Sequence, residues 1–188
     1  MASSGNFQNT FRTGYTLRVE WSVTSQSIED NTSTLSVTAY LVSGGSSYII
    51  NSSASKTVKL VINGSTYTKS AAGLANLTGN QKKALFTKVV TITHNADGTK
   101  SVPIYCEFDL DVTLSGTSFS TVRAPASGNG TATLDTIPRA TTPTTSGTWN
   151  VGNSVTINTP RASSAFTHTL QYSLNNSTCG FFISKKKG

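Results

Sequence analysis

Between Lys100 and Leu114 the chain alternates with a two-residue beat. Val102, Ile104, Cys106, Phe108, Leu110, Val112 and Leu114 fall on one side, and Tyr105, Glu107, Asp109, Asp111 and Thr113 on the other. A period of two is the signature of a strand with one buried face. The same rhythm recurs upstream. Leu17, Val19, Trp21 and Val23 share one face of YTLRVEWSVTSQ, with Arg18, Glu20 and Ser22 opposite. Leu35, Val37, Ala39 and Leu41 share one face of STLSVTAYLVS, and Val58, Leu60 and Ile62 one face of KTVKLVING. Asn63-Gly64, set between KLVI and STYTK, predicts a tight hairpin, because both turn residues tolerate positive φ. LFTKVVTITHNADGTKSVPIYCEF reads as a second, longer hairpin with NADG at its tip, and GNGTATLDTI as a further strand. AAGLANLTGNQKK breaks the beat and reads as a loop with a short helical turn.

Strands with one apolar face must bury it against another layer. The chain is therefore expected to be all-β: an antiparallel β-sandwich, jelly-roll or immunoglobulin-like, over residues 8–138, with a closed barrel as the alternative. A Pro/Thr-rich linker is expected at 139–143 (RATTP). TWNVGNSVTINTP and FTHTLQYSLNN then read as strands of a short second β module, 144–188, that is cut short. Its ending, CGFFISKKKG, departs from the Ser/Thr-rich pattern and suggests a shifted reading frame.

Composition agrees with an all-β chain. Only 12% of the 188 residues are charged, and Ser, Thr, Asn and Gly abound in place of helix-forming runs. The net charge of +7 comes from scattered basic residues, apart from Lys185, Lys186 and Lys187. With no arginine cluster interleaved with aromatics, nucleic acid is not the expected partner, although weak attraction to anionic, phosphate-bearing wall glycans is. No apolar run reaches the ~20 residues that span a membrane. MASSGNFQNT lacks the basic and apolar regions of a signal peptide, so synthesis in the cytoplasm without secretion is expected. Cys106 and Cys179 form neither a disulfide framework nor a zinc pattern, and Cys106 is expected to be a buried free thiol. No cofactor is implied.

Three of the eight acidic residues lie in the row Tyr105, Glu107, Asp109, Asp111. Same-face neighbours on a strand stand about 7 Å apart. An aromatic ring beside several carboxylates suits a sugar, and a solvated face paired with cross-strand cations is the plainer reading. Glu107 and Asp109 also meet the roughly 6.5–9.5 Å spacing of an inverting glycosidase. Any such pair of strand acids meets it, and no desolvated pocket is evident to keep one acid protonated. An enzyme is therefore not expected. Tyr40, on the polar face beside Ser36 and Thr38, and Tyr48, in the VSGGSSYII loop, are further candidates for stacking on sugar. Trp21 is expected in the core. Asn95, Asp97 and Thr99 offer oxygens at alternate positions, as calcium loops do, yet are also ordinary turn residues, and no metal is expected. His94 and His168 lack metal-ligand company, no GxSxG elbow occurs, and the glycine-containing loops lack a phosphate-cradling Lys-Ser/Thr pair.

Two stretches, ITHNADGTKSVPI and SGNGTATLDTIPRATTP, resemble the core and hinge of minor structural proteins of long-tailed bacteriophages that infect Gram-positive bacteria. GTWNVGNSVTINTPRASSAFTHTLQYSL resembles the start of the domain that follows in those proteins, and the chain departs from their pattern near Asn175. The resemblance implies a virion component of the tail tip, tail fibre or baseplate. Its implied partners are other tail proteins, copies of itself in a homo-oligomer, and host cell-wall polysaccharide. It carries over no catalytic residue.

Overall fold

The computed structural model describes residues 3–139 and four later strands. Two antiparallel sheets hold the first part. One is formed by β1 (Ser4–Arg12), β2 (Tyr15–Ser27), β3 (Thr32–Ser43) and β6 (Lys82–Thr93), in the order β1-β2-β3-β6. The other is formed by β4 (Ser55–Ile62), β5 (Ser65–Ala72), β7 (Lys100–Leu114), β8 (Thr117–Ala124) and β9 (Gly130–Leu134), in the order β5-β4-β7-β8. β9 pairs the first residues of β7, on the edge that β8 occupies further along. The apolar rows of both sheets merge into one core that includes Leu17, Leu35, Leu60, Ile104 and Phe108. β3 pairs β6 and β4 pairs β7, an interlock across the two sheets, while β2 pairs β3 and β7 pairs β8 as hairpins within one sheet. That combination is immunoglobulin-like rather than a jelly roll, whose second and eighth strands lie in the opposite sheets.

Several local expectations hold. Asn63 and Gly64 both take positive φ, 50° and 82°, between β4 and β5. Trp21 is buried, and so is Cys106 as a free thiol. Others need correction. NADG is not a hairpin tip, since β6 and β7 lie in different sheets and the turn carries the chain across the gap of about 10 Å between them. The 73–81 connection contains no helix and is held by an Ile50–Leu77 bridge. The inward row of β7 continues through Leu110, Val112 and Leu114, but a bulge against β8 interrupts the register at Asp111, which takes a φ of 44°. β1 and β8 are strands that the pattern did not reveal.

The two open sides of the sandwich are closed differently. Where β1 faces β8 and β9, Phe7 covers Gly130, Phe11 meets Phe119 edge-on at 5.4 Å, and the Asn9 amide donates to the Arg123 carbonyl at 2.9 Å. Where β5 faces β6, lysines bridge the sheets, and Lys69 Nζ donates to the Leu85 carbonyl at 2.9 Å. β2–β3, β4–β5 and β6–β7 turn at one end, where the chain leaves through Ile137. The longer loops 44–54 and 73–81 lie at the other.

Beyond residue 139 the described strands are β10 (Thr144–Ser146) paired with β11 (Thr156–Asn158), and β12 (Phe166–Leu170) paired with β13 (Phe181–Lys185), both antiparallel. FFISK, within the compositionally atypical ending, forms β13. All of the expected linker but Arg139, and most of the expected second module, lie outside the described residues.

Burial drives the Cys106 thiol up to about 12, with Glu107 adding a smaller push. Native protein is therefore expected to leave Cys106 unlabelled by a thiol reagent at pH 8, and denaturant should expose it. A peptide map of the labelled protein separates Cys106 from Cys179 and checks this.

Candidate ligand-binding faces

Each outer sheet face carries a tyrosine, a glutamate and two cations. On the β4-β7-β8 face, Glu107 stands between Lys59 of β4 and Arg123 of β8, as the register requires. Its carboxylate is paired with Lys59 and, at 3.6 Å, with Arg123. The hydrogen bond from Lys59 to Glu107 raises the Lys59 ammonium above its ordinary range. Arg123 also lies over the Tyr105 ring, 4.1 Å from its centroid. Asp109 accepts from Thr121 Oγ1 at 3.0 Å. Asp111 leaves the row: the bulge turns it to Lys56, a buried lysine on the core side of β4, whose Nζ reaches the Asp111 carbonyl at 3.0 Å and carboxylate at 3.3 Å. The predicted row therefore contracts to Tyr105, Glu107 and Asp109, with Glu107 and one Tyr105 ring face held by cations.

The β1-β2-β3 face carries the counterpart. Glu20 pairs with Arg18 at 2.9 Å and with Lys82 at 2.7 Å, and Lys82 stands 4.1 Å from the Tyr40 ring centroid. Beside them a cavity of about 330 Å³ is lined by Ser4, Asn6, Glu20, Ser22, Thr38 and Tyr40, among others. It offers hydroxyl and amide donors and acceptors, one carboxylate and a ring edge. The sequence pointed to Tyr40. It did not point to the groove, because the residues come from three strands.

Tyr48, expected to be exposed in its loop, is half-buried. Its ring occupies the space a side chain at Gly14 would fill and meets Tyr15 edge-on at 5.5 Å. Gly14 (φ 82°) admits that approach only because it has no Cβ. A second cavity, about 530 Å³, opens at the long-loop end between Asn51, Ser52 and Ser53 on one side and Ala72, Gly73 and Asn76 on the other.

The turn at 95–99 uses its oxygens internally. Asp97 Oδ1 accepts from Thr99 N at 2.9 Å and Thr99 Oγ1 at 2.7 Å, which holds its carboxyl below the ordinary range. Asn95 Nδ2 donates to Thr99 Oγ1 at 3.2 Å. Among the described residues no three His, Cys, Asp or Glu side chains gather as a metal set, and no helix is long and apolar enough to cross a membrane.

His94 has a role that sequence reasoning missed. It is buried, with Nδ1 2.7 Å from the Gly98 carbonyl and Nε2 2.7 Å from Ser33 Oγ. A carbonyl only accepts, so Nδ1 carries a proton toward Gly98, and Nε2 faces the Ser33 hydroxyl, which can donate or accept. The Gly98 carbonyl also accepts from Ile137 N at 2.9 Å, and Arg139 Nη1 donates to the Ile28 carbonyl at 3.2 Å. HNADG (94–98) and DTIPR (135–139) thus form one substructure.

The fold and its faces define an immunoglobulin-like β-sandwich module with polar sheet surfaces. The family model described as "Siphovirus protein of unknown function (DUF859)" matches residues 4–183, and the chain belongs to that family. It is therefore a protein of long-tailed bacteriophages. No curated protein and no solved structure matches it.

Replacing His94 by Ala takes one partner from the Ser33 hydroxyl, which keeps the Gln26 amide at 3.1 Å, and one from the Gly98 carbonyl, which keeps Ile137 N, in a buried place. The unfolding free energy is expected to fall by about 2–3 kcal/mol, read from the urea midpoint at unchanged slope. A loss under ~0.5 kcal/mol would show the bridge to be dispensable.

Proposed function

We propose that this protein is a non-enzymatic structural component of the virion tail, fibre or baseplate that touches host-wall carbohydrate through a sheet face. The observation that carries the carbohydrate part is the groove on the β1-β2-β3 face. Sugars present closely spaced hydroxyls over a partly apolar ring. The groove answers with Asn6, Glu20, Ser22 and Thr38 as hydrogen-bonding groups and Tyr40 as the apolar surface. Its strands hold these groups in fixed register, so little order is lost on binding. The Tyr105–Glu107–Asp109 face is the lesser candidate, since Arg123 and Lys59 already occupy it.

Several copies on one virion, whether or not joined as a homo-oligomer, turn a weak single contact into firm attachment. A second reading, a structural module contacting only other tail proteins, draws on the ion pairs that engage both glutamates.

Tagged protein, alone and clustered on beads, is expected to bind Gram-positive cell walls and to lose that binding once the wall polysaccharide is stripped. Tyr40→Ala should weaken clustered binding without altering the circular dichroism spectrum. Wall binding by neither format would favour the structural reading.

A further inference from the structure

The cations of the sandwich fall into two groups. Arg18 and Lys82 are matched by Glu20, Lys59 and Arg123 by Glu107, and Lys56 by Asp111. The lysines along the side where β5 faces β6 are not. Lys83 Nζ donates to the carbonyls of Gly73 and Asn76, both at 2.7 Å, Lys69 Nζ donates to the Leu85 carbonyl, and Lys88 Nζ lies 4.7 Å from the Tyr67 ring centroid. None of the ion pairs among the described residues involves these three lysines.

We propose that this seam is a binding site for a linear polyanion whose charge comes from phosphodiesters on a polyol or sugar backbone. An ammonium has three donors. Lys83 spends two on carbonyls and Lys69 one, so both can still donate to an anion while staying anchored. Burial, and then repulsion from Lys69, push the Lys83 ammonium below its ordinary range, and an anion in the seam relieves that repulsion. The row is long. At about 3.3 Å per residue, Lys83 to Lys88 on β6 spans roughly 16 Å, which suits successive phosphates of a chain rather than one free phosphate.

Next to Lys83, the carbonyl-bearing residues Gly73 and Asn76 also line the cavity of about 530 Å³ with Asn51, Ser52 and Ser53. Amide and hydroxyl groups thus continue the lysine row and suit the uncharged hydroxyls between phosphates. A nucleic acid fits less well. The seam has no arginine to grip phosphate bidentately, and Lys88 covers a face of the one ring, Tyr67, on which a base could stack.

The inference is independent of the Tyr40 groove and of a place in the tail. Its test is titration of the full chain with fluorescent poly(glycerol phosphate), with dextran as the neutral control and duplex DNA at equal phosphate. Wild type is expected to bind poly(glycerol phosphate), not dextran, with affinity that falls as salt rises. Lys69→Gln/Lys88→Gln should weaken it roughly tenfold, with Lys69→Arg/Lys88→Arg retaining it and Lys100→Gln, off the seam, changing little. Circular dichroism confirms that each variant is folded. Absence of wild-type binding, equal loss in Lys100→Gln, or tighter binding of DNA than of poly(glycerol phosphate) would overturn the proposal.

Discussion

The carbonyl of Gly98 accepts two hydrogen bonds, from His94 Nδ1 and from Ile137 N, and much of the sandwich is organised around that oxygen. The first bond closes the turn that carries the chain from one sheet to the other. The second fixes the chain after its last sandwich strand, with the Ile137 side chain fully buried beneath. Gly98 itself has a φ of 83°, and a Cβ there would run into the Ile137 carbonyl. Only glycine satisfies both conditions. Ser33 completes the set by reaching the other ring nitrogen from β3, so one imidazole joins a strand of the first sheet to the entry into the second. The two stretches whose wording resembles phage structural proteins meet at this atom.

Charge is distributed with the same economy. With eight acids against fifteen basic residues, not every cation can be neutralised. Glu107 stands where cross-strand register brings it beside Lys59 and Arg123 on one outer face, and Glu20 pairs with Arg18 and Lys82 on the other, at contacts worth a few tenths of a kcal/mol each. Part of the surplus, Lys69, Lys83 and Lys88, lies on the side between β5 and β6, where lysine stems cover the gap between sheets and lay their heads on carbonyls and a ring. The opposite side is closed by Phe7, Phe11 and Phe119.

How much was readable in advance depended on whether the information was local. β2, β3, β4 and β7 have apolar rows on a clean two-residue beat, so their existence and inward faces were legible. β1 was not, because its inward row is Gly5, Phe7, Asn9 and Phe11, and only the two Phe stand out as apolar. β8 was not, because Phe119, Val122 and Ala124 do not keep the beat. The alternation of β6 and β7 says that each has a buried face but not that their partners are β3 and β4. Tyr40 was legible as an outward aromatic. Tyr48 was misread because its burial depends on the missing side chain of Gly14, over thirty residues away. Asp111 was misplaced because the bulge against β8 cannot be read from β7 alone; it brings Asp111 to Lys56 while Leu110, Val112 and Leu114 keep the inward face. The lysine seam could not be read from the chain at all, since Lys69 and Lys88 meet only when β5 and β6 close the same side.

The far edge of β7 is shared by β8 and β9, with residues 125–129 looping out between them. That interruption has a consequence for crowding. A long, unbroken outer strand is a template on which another copy's strand can pair, and such pairing propagates into aggregates. Here the template is broken into pieces of eight and five residues. Proline at 125 removes an N–H at the break, and Asn9 already occupies the Arg123 carbonyl. Along this side, copies of the chain therefore offer one another no long strand on which to pair.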